Sequence, residues 1–219
     1  MSSRNSNSPV RRVVCAGIPR SGSTWLFNVA RLILERDIPG GVYGAWLDDY
    51  APGADKPIHV IKLHGPADAL LDADVILSSR RDLRDIAASA VLMGWCKSTD
   101  EILRFADSAL SGHEIWSAHA TVELAYEDIV GRPAQCVAAV GSALAVALDE
   151  GGYDEILNAV ESLQTPTQRA DYDPETLLHP GHRRNGGVGY YGSVLTSAAV
   201  QAIEQRFGDW LERYGYLAR

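Results

Sequence analysis

Short, uninterrupted apolar runs alternate along the chain with longer segments whose apolar residues recur every three or four positions. The runs at 12–16, 58–63, 74–79 and 121–125 have the length and branched apolar content of strands buried on both faces. Residues 24–36 place Leu26, Val29, Ala30 and Ile33 on one helical face. Further helices are predicted over 81–95, 99–113, 133–148, 153–163 and 197–214, with Ser79 and Asp82 placed to cap the first of these. Residues 37–57 are rich in Gly, Pro and Asp with isolated aromatics, and read as loop with a short helix. Residues 165–195 form a longer Pro/Gly-containing stretch, of a length that compact domains reserve for lids or leave disordered.

Strands alternating with helices predict an α/β fold. A parallel sheet carries helices on both faces, and its ligand crevice lies beyond the carboxyl ends of the strands. No repeat and no internal linker interrupts the pattern, so one domain is expected over 11–219, after a polar, Ser/Asn-rich tail over 1–10 that is expected to be disordered.

The 219 residues suffice to bury a sizeable core, and 46% hydrophobic with 22% charged residues is ordinary for a soluble globular protein. No apolar run is long enough to span a bilayer, and the tail lacks the apolar core of a signal peptide. A cytoplasmic protein with no membrane partner is therefore expected. The net charge of −8 argues against nucleic acid as a partner. Only Lys56, Lys62 and Lys97 are lysines; the remaining basic residues are arginines, clustered at Arg80, Arg81 and Arg84 and at Arg183 and Arg184. Local clusters on an acidic chain suggest discrete anion sites. Cys15, Cys96 and Cys136 are odd in number and widely spaced, which fits buried free thiols rather than disulfides or zinc. His59, His113, His119, His179 and His182 show no metal-ligand spacing, so no metal site is expected.

The most informative segment is Gly17-Ile-Pro-Arg-Ser-Gly-Ser-Thr-Trp25, between the first strand and the first helix. Gly17 and Gly22 let the backbone curl so that N–H groups converge, Ser21, Ser23 and Thr24 add hydroxyls, and the helix aims its positive end at the same point. The glycine spacing is that of a nucleotide-hydrolysing P-loop, but Ser23 stands where that chemistry needs lysine; a cation sits at Arg20 instead. Other segments fall at predicted strand ends: Lys62-Leu-His64, Arg81 with Ser89, and Tyr126-Glu-Asp-Ile129. A fifth, Arg184-Asn185-Gly186-Gly187-Val188-Gly189, lies on the long loop.

In this order the segments resemble the sulfotransferases that use 3′-phosphoadenosine 5′-phosphosulfate (PAPS). That family carries a Pro-Lys-Ser-Gly-Thr-Thr-Trp loop, a Lys-Thr-His segment, an Arg paired with a Ser eight residues later, a Tyr-Glu-Asp-Leu segment and an Arg-Lys-Gly-x-x-Gly segment. The resemblance spans residues 15 to about 196. It implies a P-loop-like sulfotransferase fold and PAPS as cofactor, with a small-molecule or glycan hydroxyl, or an amine, as acceptor. It further implies that His64 is the general base and that Lys62 and Arg20 stabilise the departing phosphate. Arg20, Ser21, Gly22, Ser23, Thr24 and Trp25 would hold the phosphosulfate and adenine, with Tyr126 also near the base. Arg81, Ser89, Arg184, Asn185 and Gly186 would hold the 3′-phosphate.

The chain departs from the family at Arg20, Asn185 and Tyr190-Tyr191, and it is shorter between Leu26 and Ile58, where relatives help enclose the acceptor. Trp25 and Tyr126 read equally as core aromatics, and Thr24 as a helix cap. Arg80 and Arg84 read as a solvated face or as partners of Asp82 or Asp85. Tyr43, Trp46 and Tyr50, and His179 or His182, are candidates for the acceptor side. Two other readings remain open at this level: a P-loop kinase, which the missing lysine at 23 opposes, and a non-catalytic nucleotide-binding module, which His64 opposes.

Overall fold

The computed structural model describes residues 10–166, 172–180 and 187–217. Five strands form one parallel sheet: β1 (Arg11–Ala16), β2 (Val42–Trp46), β3 (Ile58–Leu63), β4 (Val75–Arg80) and β5 (Val122–Ala125), in the order β2-β3-β1-β4-β5. Strand β1 is central because its Val13, Val14, Cys15 and Ala16 can be buried on both faces. The chain moves to one side of β1 to lay down β2 and β3, then crosses to the other for β4 and β5. The crevice of such a sheet opens where that direction reverses, beyond the end of β1.

Helices cover both faces. Helix α1 (Ser23–Asp37), α5 (Pro133–Ala143) and α6 (Glu150–Ser162) pack through Leu26, Phe27, Ile33, Val137 and Ile156 on one side. On the other, α3 (Thr99–His119) buries Trp116 against Val14, Ile61 and Ile76. Beside it, α2 (Leu83–Leu92) and α7 (Ser197–Arg213) close a second cluster around Leu83, Ile203 and Leu211. Asp82 caps α2, accepting a bond from Arg84 N at 2.9 Å. Cys15, Cys96 and Cys136 are free and buried.

The fold departs from the sequence expectation in local and explicable ways. A strand, β2, occupies part of the 37–57 region read as loop. Gly44 interrupts its apolar pattern, yet a Cβ there would come within 2.9 Å of Phe27 Cζ, so the glycine lets α1 approach the edge strand. The helix expected over 133–148 stops at Ala143, and Ala145 turns the chain at φ 54°. Tyr126–Gly131 forms an extra short helix, α4, directly after β5. Helix α2 ends at Leu92, before Gly94 at φ 75°, which leaves Trp95 outside it.

Helix α3 runs six residues beyond its predicted end at 113, through Gly112. That glycine has a packing cause: a Cβ on it would strike the carbonyl oxygen of His64 and lie 3.5 Å from Gly65 Cα. Four residues on, Trp116 Nε1 donates to Gly65 O at 2.9 Å. Helix α3 thus holds the turn that follows β3 from below. Replacing Gly112 by Ala raises helix propensity by about 1 kcal/mol. The collision should outweigh this, for a net loss of about 1–3 kcal/mol in urea unfolding. A Gly112→Ala variant as stable as the native chain would contradict this close approach.

Candidate active site

The loop after β1 is fastened to β4 before it reaches α1. Ile18 N donates to Ser79 O at 2.9 Å, and Ser21 Oγ reaches Ile18 O at 2.6 Å, Ser79 O at 3.0 Å and Ser79 Oγ at 2.7 Å. Ser21 is fully buried and its hydroxyl faces the sheet. The expectation that this hydroxyl meets a ligand is therefore corrected: Ser21 staples the loop. Gly17 lies so close to Ser79 Oγ that a side chain there would collide with it.

Beyond the staple, Arg20 and Gly22 both take left-handed conformations, at φ 67° and 84°. This abrupt reversal delivers the chain into α1. Gly22 caps the helix without any side-chain hydrogen bond, and no acidic residue stands in the first turn. The amides opening α1 therefore present their positive end where Ser23 and Thr24 line a cavity of about 920 Å³. A side chain at Gly22 would come 3.0 Å from Ile129 Cδ1, so the turn also needs glycine for space.

Strand register brings the next groups together. Trp46 on β2, Lys62 on β3 and Cys15 on β1 are in register. Lys62 is buried, with Nζ 4.1 Å from the Trp46 ring centroid. His64 lies two residues further on, and its Nε2 is 3.5 Å from Lys62 Nζ. Its Nδ1 is 2.5 Å from the carbonyl oxygen of Gly17. A carbonyl only accepts, so Nδ1 carries the proton and Nε2 keeps its lone pair. The ring also meets Trp46 edge-on, with centroids 5.0 Å apart.

Burial and the Lys62 and Arg20 cations push His64 down to about 3, against a weaker upward pull from the Gly17 bond. Burial likewise lowers Lys62 to about 7, the neighbouring Arg20 adding to the fall. Near neutral pH the pair is thus a neutral imidazole beside an amine that loses its charge far more readily than an ordinary lysine.

The remaining cations are held in defined ways. Arg20 Nε donates to Ser89 Oγ at 2.9 Å, so Ser89 steadies Arg20 within the cavity wall. Arg81, buried at the end of β4, lies 3.8 Å from the Tyr126 ring centroid and 5.4 Å from that of Tyr190. It donates to Arg20 O at 3.2 Å and Gly187 O at 2.9 Å. Arg84 pairs with Asp82 at 2.7 Å and Glu204 at 2.6 Å, and Arg80 with Glu123 at 3.2 Å. Of the two readings of this cluster, the ion-pair one describes Arg84, which is buried rather than solvated.

Arg20, Gly22, Ser23, Thr24, Trp25, Lys62, His64, Arg81, Ser89 and Tyr126 all line the one cavity. Trp25 also packs against the core beside α1, so its two readings are compatible. Arg184, Asn185, Gly186 and His182 lie outside the described residues. His179 lines the cavity. So does Trp46, whereas Tyr43 and Tyr50 pack around buried His59 instead. Sequence reasoning missed Leu92, Trp95, Phe105, Leu177 and Leu178, which line the cavity as well. Unlike core aromatics, Trp95 is 48% exposed, a property that the pattern of a helix end does not reveal. The described parts of the 165–195 stretch are docked: Asn28 Nδ2 donates to Thr176 O at 2.8 Å, and Arg31 pairs with Glu175 at 2.7 Å.

No protein-family model and no curated protein matches this sequence. Solved structures do. Mouse sulfotransferase SULT7A1, complexed with PAP (adenosine 3′,5′-bisphosphate), superposes with a TM-score of 0.67 at 12% identity, over 94% of this chain and 86% of that one. Retinol dehydratase with androsterone and the inactive cofactor PAP gives 0.66 at 15%, over 93% and 82%. A second retinol dehydratase complex, with retinol and PAP, gives 0.63 at 18%, over the same shares of 93% and 82%. The chain has the sulfotransferase fold. At such identities a shared sulfotransferase fold does not specify chemistry, which must come from the residues of the site.

The His64 geometry has a spectroscopic consequence. Nitrogen NMR of the ligand-free protein should show a neutral ring protonated at Nδ1 throughout pH 5 to 8, because His64 titrates near 3. An imidazolium forming near the ordinary value of about 6.5, or a proton on Nε2, would contradict the assignment.

Proposed function

We propose that this protein is a PAPS-dependent sulfotransferase that uses His64 as general base on an acceptor hydroxyl. The observation that carries the reading is the neutral imidazole, fixed by Gly17 with Nε2 available, beside Lys62 on a cavity that α1 opens onto. The donor set fits an anionic nucleotide: unshielded helix amides, two hydroxyls, buried cations and flat aromatic faces share one cavity. PAPS, when bound, supplies the sulfuryl group on a phosphate leaving group.

This chain's own residues supply the rest. The α1 amides with Ser23 and Thr24 would hold the 5′-phosphosulfate, and Lys62 and Arg20 would place positive charge against it. Trp25 and Tyr126 would flank the adenine. Arg81, with the Arg184-Asn185-Gly186 segment, would hold the 3′-phosphate, and Ser89 would act by orienting Arg20. His64 Nε2 would take the acceptor's proton as its oxygen is sulfated. The depressed basicity of His64 suits this order of events. Burial first, and the Lys62 and Arg20 cations second, suppress protonation, and an anion bound beside those cations would offset their share of that suppression.

The acceptor side favours a small apolar molecule over a glycan. Trp46, Leu92, Trp95 and Phe105 line the same cavity and would face the acceptor, while Glu161 of α6 supplies the only carboxylate among the described cavity-lining residues. The androsterone and retinol bound by retinol dehydratase are of this apolar kind.

Three measurements test the reading. PAP at about a hundred times its Kd should raise unfolding free energy by about 2.7 kcal/mol; stabilisation by Mg-ATP in its place would favour a kinase. His64→Ala should lower turnover by about 10²–10⁴-fold while PAP affinity changes little. Near-native turnover in that variant would remove His64 as base. Lys62 is cationic below about 7 and loses its charge above it. Binding an anion must then recruit a proton, so PAP affinity should fall roughly tenfold or more between pH 7 and 9. Lys62→Met should flatten that dependence; an equally steep fall in the variant would assign the titration elsewhere.

A further inference from the structure

Asp85 is a fully buried carboxylate in the first turn of α2, and neither the motifs nor the proposed chemistry uses it. Its contacts reach across 104 residues of sequence to the segment that leaves the long loop. Oδ2 accepts from Gly189 N at 2.8 Å and Oδ1 from Tyr191 N at 3.0 Å. Tyr190 Oη donates to the carbonyl of Asp85 at 3.2 Å. Gly189, at φ 77°, turns the backbone so that these two amides converge on a single side chain. Asp85 also pairs with Arg81, Nη2 to Oδ2, at 3.6 Å.

Arg81 in turn donates to Gly187 O. The 187–191 backbone is therefore gripped from both sides at the start of α2, its amides by a carboxylate and a carbonyl by a guanidinium. That guanidinium also holds Arg20 O of the anion loop and stacks on Tyr126 and Tyr190. Only a carboxylate offers two acceptor oxygens to two amides while balancing the arginine. An amide side chain of equal size offers one oxygen, and turns an NH2 against the second N–H.

We propose that Asp85 is a positioning residue for nucleotide recognition: it docks the 187–191 segment on α2 and holds Arg81 in the orientation that receives the 3′-phosphate. The proposal rests on the PAPS reading of the site. It makes Asp85 matter more for the end of the nucleotide that carries the extra phosphate than for the α1 cradle.

Calorimetric titration of the full chain with PAP and with adenosine 5′-monophosphate, which lacks the 3′-phosphate, separates these ends. The native protein should prefer PAP. In Asp85→Asn that preference should shrink by about tenfold or more, with affinity for the monophosphate retained. Equal loss for both ligands would mean a merely structural residue, and an undiminished preference would remove Asp85 from recognition; either result overturns the proposal. A native protein without preference for PAP would instead overturn the PAPS reading beneath it. Should Asp85→Asn fail to fold, Tyr190→Phe decides. That change removes only the part-buried bond from Tyr190 to the Asp85 carbonyl and should reduce the preference by a few-fold. An unchanged preference there overturns the proposal.

Discussion

The hydrogen bond from His64 Nδ1 to the Gly17 carbonyl joins the end of β3 to the loop that leaves β1, and the site is organised around it. The loop is already committed to β4 through Ser21 and Ser79, so three strand ends are tied at one point. The bond sets the histidine tautomer and leaves Nε2 available beside Lys62. It also makes the imidazole and the anion cradle parts of one rigid unit, because the loop that accepts the bond becomes α1 a few residues later. Helix α3 supports the unit from behind, where Gly112 and Trp116 meet the turn after His64. A base whose position relative to a bound anion is set by the backbone needs no rearrangement to meet it.

Charge is distributed in the same spirit. The chain is acidic overall, yet the carboxylates beside the Arg80, Arg81 and Arg84 cluster are committed to those arginines or to backbone amides. Asp82 and Glu204 hold Arg84, Glu123 holds Arg80, and Asp85 holds Arg81 together with two amides. Lys62 has no acidic partner among the described ion pairs, and burial beside Arg20 lowers its affinity for a proton. A buried amine that titrates near 7 and an imidazole kept neutral by burial and by its cationic neighbours form a site that an anion completes electrostatically. Under the proposed function, donor binding fills the cradle and offsets the part of the His64 depression that the cations cause.

Much of this was legible in the residues, for reasons that differ by position. Strand β3 matches its apolar run because burial on both faces leaves a continuous signal, and the two-residue spacing of Lys62 and His64 puts both side chains on one side of an extended segment. Strand β2 was not legible, since Gly44 answers to Phe27 of α1 rather than to its own strand. Ser21 illustrates the limit of motif reading. Its place in the loop suggested a ligand contact, but the direction of its hydroxyl is decided by Ser79, 58 residues away. Asp85 and Arg84 look like exposed charges on a helix until the 187–191 segment and α7 close over them. Trp95 and Phe105 come together only because α2 ends before Trp95 and the chain turns back into α3.

The account stands most directly on where a bound nucleotide lies. A crystal structure with PAP should place its 5′-phosphate at the first turn of α1, within hydrogen-bonding reach of Lys62, with His64 Nδ1 still on the Gly17 carbonyl. A nucleotide bound away from the 17–24 loop, or a His64 ring turned so that Nδ1 faces the ligand, would contradict it.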